Sequence, residues 1–153
     1  MKLDETKKLV KSLLEKYGLS KWGFSFDNAS SRFGFCNETE HKISLSKKLV
    51  LLNNKEVVKE ILLHEIAHAL VGGLNHHNKV WKNKAVELGC NSNPHYGNEV
   101  ITPPKKWVTT CPNCGHITYY RRRLSRAIAC GACCDRFNNG KYSLKFKLEW
   151  KKA

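Results

Sequence analysis

Two Cys-x-x-Cys pairs, separated by fifteen residues, constrain the fold of this chain more than any other feature of its sequence. The first pair is Cys111 and Cys114, and the second is Cys130 and Cys133. Each pair suits a tight turn that presents two thiolates, and four thiolates at this spacing are typical of the tetrahedral zinc site of a zinc ribbon. We therefore predict a structural zinc ion bound by these four cysteines. Cys134 remains an alternative to Cys133 as the fourth ligand.

The other two of the seven cysteines, Cys36 and Cys90, are predicted to be small buried apolar residues. The N-terminal residues mix both charge signs and lack the apolar core of a secretory signal, which predicts an intracellular protein of the cytoplasm, nucleoid or nucleus. The longest apolar run, residues 49–52, is far shorter than the ~18 residues of a membrane-spanning helix. We therefore expect no contact with a membrane.

A chain of 153 residues is long enough for one ordinary domain with a small appended module. Three of its four prolines fall near residues 91–104, together with Asn, Ser and Gly, which indicates a linker. We predict a first domain at residues 1–104, including that linker, and a second at residues 105–153. We expect a monomer.

Positive charge is concentrated in the second predicted domain. Residues 105–153 contain 12 Lys and Arg against 2 Asp and Glu, a net charge of +10, whereas residues 1–104 have a net charge of +4. Such a field attracts polyanions, of which nucleic acid is the most abundant inside cells. Within this region Tyr120 precedes the basic residues Arg121, Arg122, Arg123 and Arg126. Guanidinium groups bind phosphates and aromatic rings stack on unpaired bases, so these five residues are predicted to bind single-stranded or distorted DNA.

Hydrophobic periodicity predicts an α+β fold. A first helix is expected from Asp4 as its N-cap to Gly18 as its C-terminal stop. The alternating residues 22–26, the pair 33 and 35, and the pair 43 and 45 predict a small antiparallel sheet.

Two further helices are expected after this sheet. The first begins with a capping box of Asn53 and Glu56 and ends at the Gly72-Gly73 pair, and the second begins after residue 75 or 76 and ends at Gly89. In the tail, strict alternation over residues 142–150 predicts a strand with one buried face.

The first of these two helices contains His64-Glu65-Ile66-Ala67-His68, an H-E-x-x-H motif. Histidines four residues apart lie on the same face of a helix, one turn from each other, so both imidazoles can reach one metal ion. Glu65 lies beside them, where it can take a proton from a zinc-activated water as the general base. The motif predicts a catalytic zinc ion bound by His64 and His68.

A catalytic zinc ion needs a third protein ligand and an open position. His77 is favoured because Trp81, one turn further on, can pack beside it. Glu87 and His76 remain alternatives, and a metzincin arrangement is excluded because Leu74 occupies the place of its third histidine. Candidates for stabilising the oxyanion of the reaction are His76, His95 and Tyr96.

These motifs resemble the SprT-like metalloproteases, whose eukaryotic representative Spartan cleaves proteins crosslinked to DNA. The resemblance rests on the H-E-x-x-H motif, on a third histidine followed four residues later by an aromatic residue, and on the basic C-terminal zinc ribbon. It implies a zincin-like core followed by a small β zinc-ribbon module, with His64, His68 and His77 as zinc ligands and Glu65 as general base. The residue after the third histidine is often glycine in the family and is Asn78 here.

Three functions fit the sequence. The first is a DNA-associated zinc endopeptidase that cleaves DNA-bound or DNA-crosslinked proteins; the second is a DNA-independent metallopeptidase with a purely structural ribbon. The third is a nucleic-acid-binding protein without proteolytic activity. We favour the first, and the third is disfavoured because a structural zinc site has no need of Glu65 between its two histidines.

Overall fold

The computed structural model describes residues 1–93 and 100–153 and divides the chain into two compact units, Met1–Pro103 and Pro104–Ala153. His95 and Tyr96 lie outside the described residues, as does the middle of the predicted linker. Within the described ranges, none of the helices combines the length and apolarity that crossing a bilayer requires. The predicted α+β class is confirmed.

The first unit begins with helix α1, Leu3–Lys16. Its apolar face buries Val10, Leu13 and Leu14 in the core. The helix begins one residue before the predicted N-cap, because the Lys2 backbone N–H donates to the Glu5 carboxylate at 3.3 Å.

Three short strands follow: β1 (Gly23–Asp27), β2 (Gly34–Asn37) and β3 (Lys42–Ser46). The central strand is β3, which pairs antiparallel with β2 and parallel with β1. The predicted antiparallel sheet is therefore wrong in one of its two pairings, and the sheet is mixed. Alternation of apolar and polar residues marks a strand but does not encode the direction of its neighbour.

A short helix, α2 (Lys47–Leu52), was not expected from the sequence and follows β3 directly. The buried Asn53 after it is not the N-cap that the sequence predicted. Its side chain donates to the carbonyls of Leu49 and Ile101 at 2.7 and 2.8 Å, and it accepts the Ile101 N–H at 2.8 Å. The cap is Asn54, whose side-chain oxygen accepts the Val57 N–H at 2.9 Å.

Helix α3, Lys55–Val71, passes through the core of the first unit. Residues 61–67 are all buried, so the helix presents buried side chains on nearly every side along its central turns. Gly72, with φ of 83°, ends it as predicted. A single 3-10 turn, Gly73–Asn75, leads to helix α4, Lys79–Glu87, which packs against α3.

The second unit contains the antiparallel strands β4 (Trp107–Thr110), β5 (Ile117–Tyr120) and β6 (Glu149–Lys152), with β4 in the centre, and helix α5 (Gly131–Asn138). The predicted strand at residues 142–150 is wrong in its first half, because Leu144–Phe146 forms a 3-10 turn. Phe146 and Leu148 are buried beside the cysteines, and their backbones bond to residues 130 and 128 instead of to a sheet. Buried and exposed side chains therefore alternate here although the residues do not form a β-strand.

Candidate metal centre

Three histidine side chains converge in the first unit. His64 and His68 lie on α3, and His77 lies just before α4. The Nε2 atom of His77 lies 3.1 Å from Nε2 of His64 and 3.1 Å from Nε2 of His68. This group can hold one metal ion, since each ring offers a nitrogen and these nitrogens all lie within 4.8 Å of one another.

The chain reversal after α3 brings His77 to this position. Gly72 adopts a φ of 83°, which costs a glycine little, and the chain turns back over the helix. Asn78 then caps α4, accepting the backbone N–H groups of Val80 and Trp81 at 2.9 and 3.2 Å. A cap of this kind contributes about 1 kcal/mol to the stability of a helix. Asn78 thus fixes the start of α4 directly after His77.

The other two candidates for a third ligand lie outside this group. Glu87 forms an ion pair with Lys84 at 2.6 Å, and its side chain is 65% exposed. His76 borders a cavity that opens beside the three histidines. Among the described residues, however, the convergent set consists of His64, His68 and His77.

Trp81 packs against all three histidines, whereas the sequence predicted its packing beside His77 alone. Its ring centroid lies 4.6 Å from those of His64 and His77 and 5.2 Å from that of His68. The residue is fully buried, and its indole N–H has no hydrogen-bond partner in the described part of the chain. Trp81 therefore forms a rigid apolar wall behind the imidazoles.

The buried position keeps two of these histidines neutral. Burial lowers the pKa of His64 to about 3, with a further contribution from the neighbouring His68 and His77. Burial likewise lowers the pKa of His68 to about 4, assisted by His77. Neutral imidazole is the form that binds a metal ion, so at neutral pH these two side chains need lose no proton to do so.

Glu65 is buried on α3 next to β2, with 4% of its surface exposed. A Cβ atom built on Gly34 of β2 would lie 2.6 Å from Cγ and 2.8 Å from Cδ of Glu65. Only glycine fits at this position without displacing the glutamate. Gly34 was not among the residues selected from the sequence, although a glycine inside a short strand is a signal of close approach.

A cavity of about 400 Å³ opens beside these residues. Its wall includes the three histidines and Glu65 together with Gly34, Phe35, Cys36, Glu38, Gly73 and His76. The prediction that Cys36 is simply buried is wrong, because this residue is half-buried and borders the cavity. Burial, with the nearby carboxylates of Glu65 and Glu38, raises the pKa of its thiol to about 12. Cys90 is buried in the core.

A second candidate metal centre lies in the second unit. Cys111, Cys114, Cys130 and Cys133 offer sulfur atoms within 4.8 Å of one another. The Sγ atoms of Cys111 and Cys133 are 3.8 Å apart, and those of Cys114 and Cys130 are 3.7 Å apart. Four convergent sulfurs suit a tetrahedral zinc ion.

Two local features shape this second centre. Burial raises the pKa of the Cys111 thiol, but hydrogen bonds from the backbone of Cys114 and Asn113 outweigh it, so that this pKa falls to about 7. Cys134 is buried next to Cys133 but does not belong to the convergent set found in the described residues. The structure therefore gathers Cys133, not Cys134, with the other three sulfurs.

The four arginines that were predicted to bind DNA follow β5. Arg122, Arg123 and Arg126 are exposed, and Arg121 is half-buried. Tyr120 is also half-buried, and its ring centroid lies 4.9 Å from that of Trp150. Of the five predicted residues, Tyr120 thus ends β5 and the four arginines lie in the loop after it. Trp150, which lies beside Tyr120, was not among the residues predicted to bind DNA.

An H-E-x-x-H helix whose histidines meet a third histidine beside an open cavity defines a metalloprotease-like class of site. The family model for the SprT-like family matches residues 6–102, which is well over half of the chain. This protein belongs to the SprT-like family, which is associated with zinc metallopeptidase activity. A search among curated proteins found no match. The family match ends before Pro104, so the cysteine centre and the basic residues lie outside it.

Proposed function

We propose that this protein is a zinc-dependent endopeptidase that cleaves DNA-bound or DNA-crosslinked proteins. The observation that carries the catalytic part is the meeting of three imidazoles at the edge of a cavity, with a buried carboxylate beside them. Membership of the SprT-like family supports the same class of reaction.

The donor set fits zinc at the histidine centre. Three imidazoles are a ligand set of catalytic zinc sites, in which the fourth position stays open. His64, His68 and His77 would hold the ion on the cavity side. When bound there, zinc would supply polarisation of the scissile carbonyl and a lower pKa for the attacking water.

Glu65 acts as the general base in this proposal. Its carboxylate lies between α3 and β2 and borders the cavity in which a peptide would bind. It accepts a proton from the attacking water and delivers that proton to the leaving amine. The glycine at position 34 leaves room for this side chain, which a Cβ atom at that position would displace.

The test compares zinc-loaded wild type with Glu65→Gln and Glu56→Gln on an unfolded protein substrate. Glu56 is an exposed residue of the first turn of the same helix, so its variant is a matched control. We expect wild type and Glu56→Gln to cleave, and Glu65→Gln to lose activity by a factor on the order of 10² to 10⁴ while keeping its zinc. Equal cleavage by all three proteins would contradict the endopeptidase.

The nucleic-acid part of the proposal is carried by the second unit. On β4 of its sheet, Trp107 lies opposite Tyr120 of β5, and Trp150 of β6 lies opposite Thr109, two residues along β4 from Trp107 and on the same face. The ring centroids of Trp107 and Trp150 are 6.5 Å apart, and the Arg123 guanidinium lies 5.9 Å from the Trp107 ring. Aromatic rings beside arginines are the combination that binds single-stranded nucleic acid through stacking and phosphate contacts.

The same experiment with single-stranded DNA distinguishes the proposal from its alternatives. If the second unit binds DNA that holds the substrate, cleavage of a DNA-bound protein should increase with DNA and should fall in Trp150→Ala. Cleavage that is indifferent to DNA would favour the DNA-independent metallopeptidase. DNA binding without cleavage by any variant would favour the non-proteolytic binding protein.

A further inference from the structure

Glu38 has a carboxylate in the wall of the cavity that takes no part in the proposed reaction. It lies directly after β2, and its backbone carbonyl accepts the His41 N–H at 3.1 Å, which closes the turn to β3. Its side chain borders the same cavity as the three histidines. It does not belong to the convergent histidine group, so it is not placed as a metal ligand.

The carboxylate lies directly against the chain reversal after α3. A Cβ atom built on Gly73 would lie 3.0 Å from Oε1 and 3.1 Å from Oε2 of Glu38. Glycine at this position therefore leaves the space that the carboxylate occupies. The turn at residue 38 and the Gly73 backbone together fix where this negative charge lies in the cavity.

In the part of the chain that the structure describes, the Glu38 carboxylate forms no side-chain hydrogen bond and no ion pair, although the chain has a net charge of +14. The titratable side chains that share its cavity are Cys36, Glu65 and the histidines at positions 64, 68, 76 and 77. The arrangement leaves a half-buried negative charge exposed to whatever enters the cavity.

We propose that Glu38 is a specificity-determining residue that binds the ammonium or guanidinium group of a substrate lysine or arginine near the scissile bond. This inference rests on the proposed endopeptidase function. A partly desolvated carboxylate forms stronger charge-assisted hydrogen bonds than one in open water. The cavity of about 400 Å³ is large enough to admit a long basic side chain beside the histidines.

The test uses N-acetylated peptides that are identical except for lysine or norleucine at one position, which differ by the ammonium group. A third peptide has norleucine and a free N-terminus, because a terminal amine is the other source of the same charge. The values of kcat and KM are measured for zinc-loaded wild type, Glu38→Gln and Glu40→Gln. Glu40 is an exposed carboxylate two residues away and serves as the matched control.

We expect wild type and Glu40→Gln to prefer lysine over norleucine by roughly tenfold or more in kcat/KM, as a hydrogen bond to a charged group allows. In Glu38→Gln the ratio of kcat/KM for lysine over norleucine should fall to about one, which is read independently of any change in rate common to both peptides. The same three peptides are titrated by fluorescence anisotropy against Glu65→Gln with and without Glu38→Gln. The lysine preference in binding should again depend on Glu38.

Other outcomes would overturn the inference. An equal loss of kcat on both acetylated peptides, with the lysine preference retained, would mean that Glu38 supports the catalytic centre and does not bind the substrate. A preference for the free N-terminus alone would overturn the assignment to a side chain. If no variant cleaves, the proposed function fails, and the binding titration still decides: equal affinity for lysine and norleucine peptides would overturn the role of Glu38 as well.

Discussion

Gly34 and Glu65 share a contact that admits no Cβ atom: the glycine backbone of β2 lies where any larger residue would meet the side chain of the glutamate on α3. The separation of the two residues along the chain is 31 positions. The contact links the sheet to the helix that carries the H-E-x-x-H motif, and it places the proposed base relative to the cavity.

Gly34→Ala should therefore reduce peptidase activity without removing zinc. The added methyl group must push Glu65 away or move β2, and a displacement of about 1 Å at a catalytic group can cost on the order of 10² in rate. Activity and zinc content are measured together, with Gly23→Ala as the control because a Cβ there meets only ordinary contacts, the nearest at 3.7 Å. Full activity of Gly34→Ala would contradict the positioning role of this glycine.

The pKa values of His64 and His68 predict that the metal-free protein loses stability in acid. These pKa values are about 3 and about 4 in the folded chain and near 6.5 when unperturbed. Between those limits the unfolded state binds more protons, so the free energy of unfolding falls as the pH falls from about 6.5 towards 4. Their stabilising contribution is fully present above the unperturbed pKa.

Urea unfolding of chelator-treated protein at several pH values measures this effect. The double variant His64→Gln/His68→Gln should show a flatter pH dependence over this range than wild type. His116→Gln, which changes an exposed histidine of the second unit, should leave the dependence unchanged. An identical slope in wild type and the double variant would refute the assignment.

Removal of one cysteine should distinguish Cys133 from its neighbour. Cys133→Ser takes one of four convergent sulfurs from the second centre and should reduce the zinc content from two ions to one. Cys134→Ser changes a buried sulfur outside the convergent set and should keep both ions. Metal analysis of the purified variants provides the readout, and the reverse pattern would make Cys134 the ligand.

The arginines after β5 should control the salt dependence of DNA binding. If Arg121, Arg122, Arg123 and Arg126 each contact a phosphate of single-stranded DNA, the log–log slope of affinity against salt should include about −3 from them. Changing all four arginines to Gln should therefore make the log–log slope less negative by about 3. The matched control changes four exposed lysines of α1, namely Lys7, Lys8, Lys11 and Lys16, and so removes the same charge elsewhere. Equal slopes in the two variants would indicate an unspecific charge effect.

Local patterns in the sequence predicted the histidine motif and the helix that carries it, because residues 64 and 68 interact through the helix itself. They also predicted the packing of Trp81 on His77, one turn away. Local patterns do not say which residues Gly34 and Glu38 contact. Their importance depends on β2 lying beside α3 and the Gly72-Gly73 reversal, which is a contact between distant segments.

The other differences between the predicted and the observed structure also depend on features that local sequence patterns do not encode. Asn53 and Asn54 are chemically identical as caps, but the side chain of Asn53 is engaged by Leu49 and the distant Ile101, so Asn54 caps α3. The parallel pairing of β1 with β3 follows from the route of the chain, not from either strand's residues. In the second unit, Phe146 and Leu148 alternate like a strand because both contact the cysteine core from a 3-10 turn and the residues after it.

The wall that Trp81 forms behind the histidines also makes the site optically visible. Its ring lies within 5.2 Å of each imidazole centroid and is shielded from solvent, so its emission will respond to the ion that these imidazoles bind. A paramagnetic ion such as Co²⁺ in place of zinc would quench it. Metal exchange at the first unit can thus be followed in real time, without a label, as the part of the tryptophan emission that Trp81→Phe lacks, since the chain has three other tryptophans.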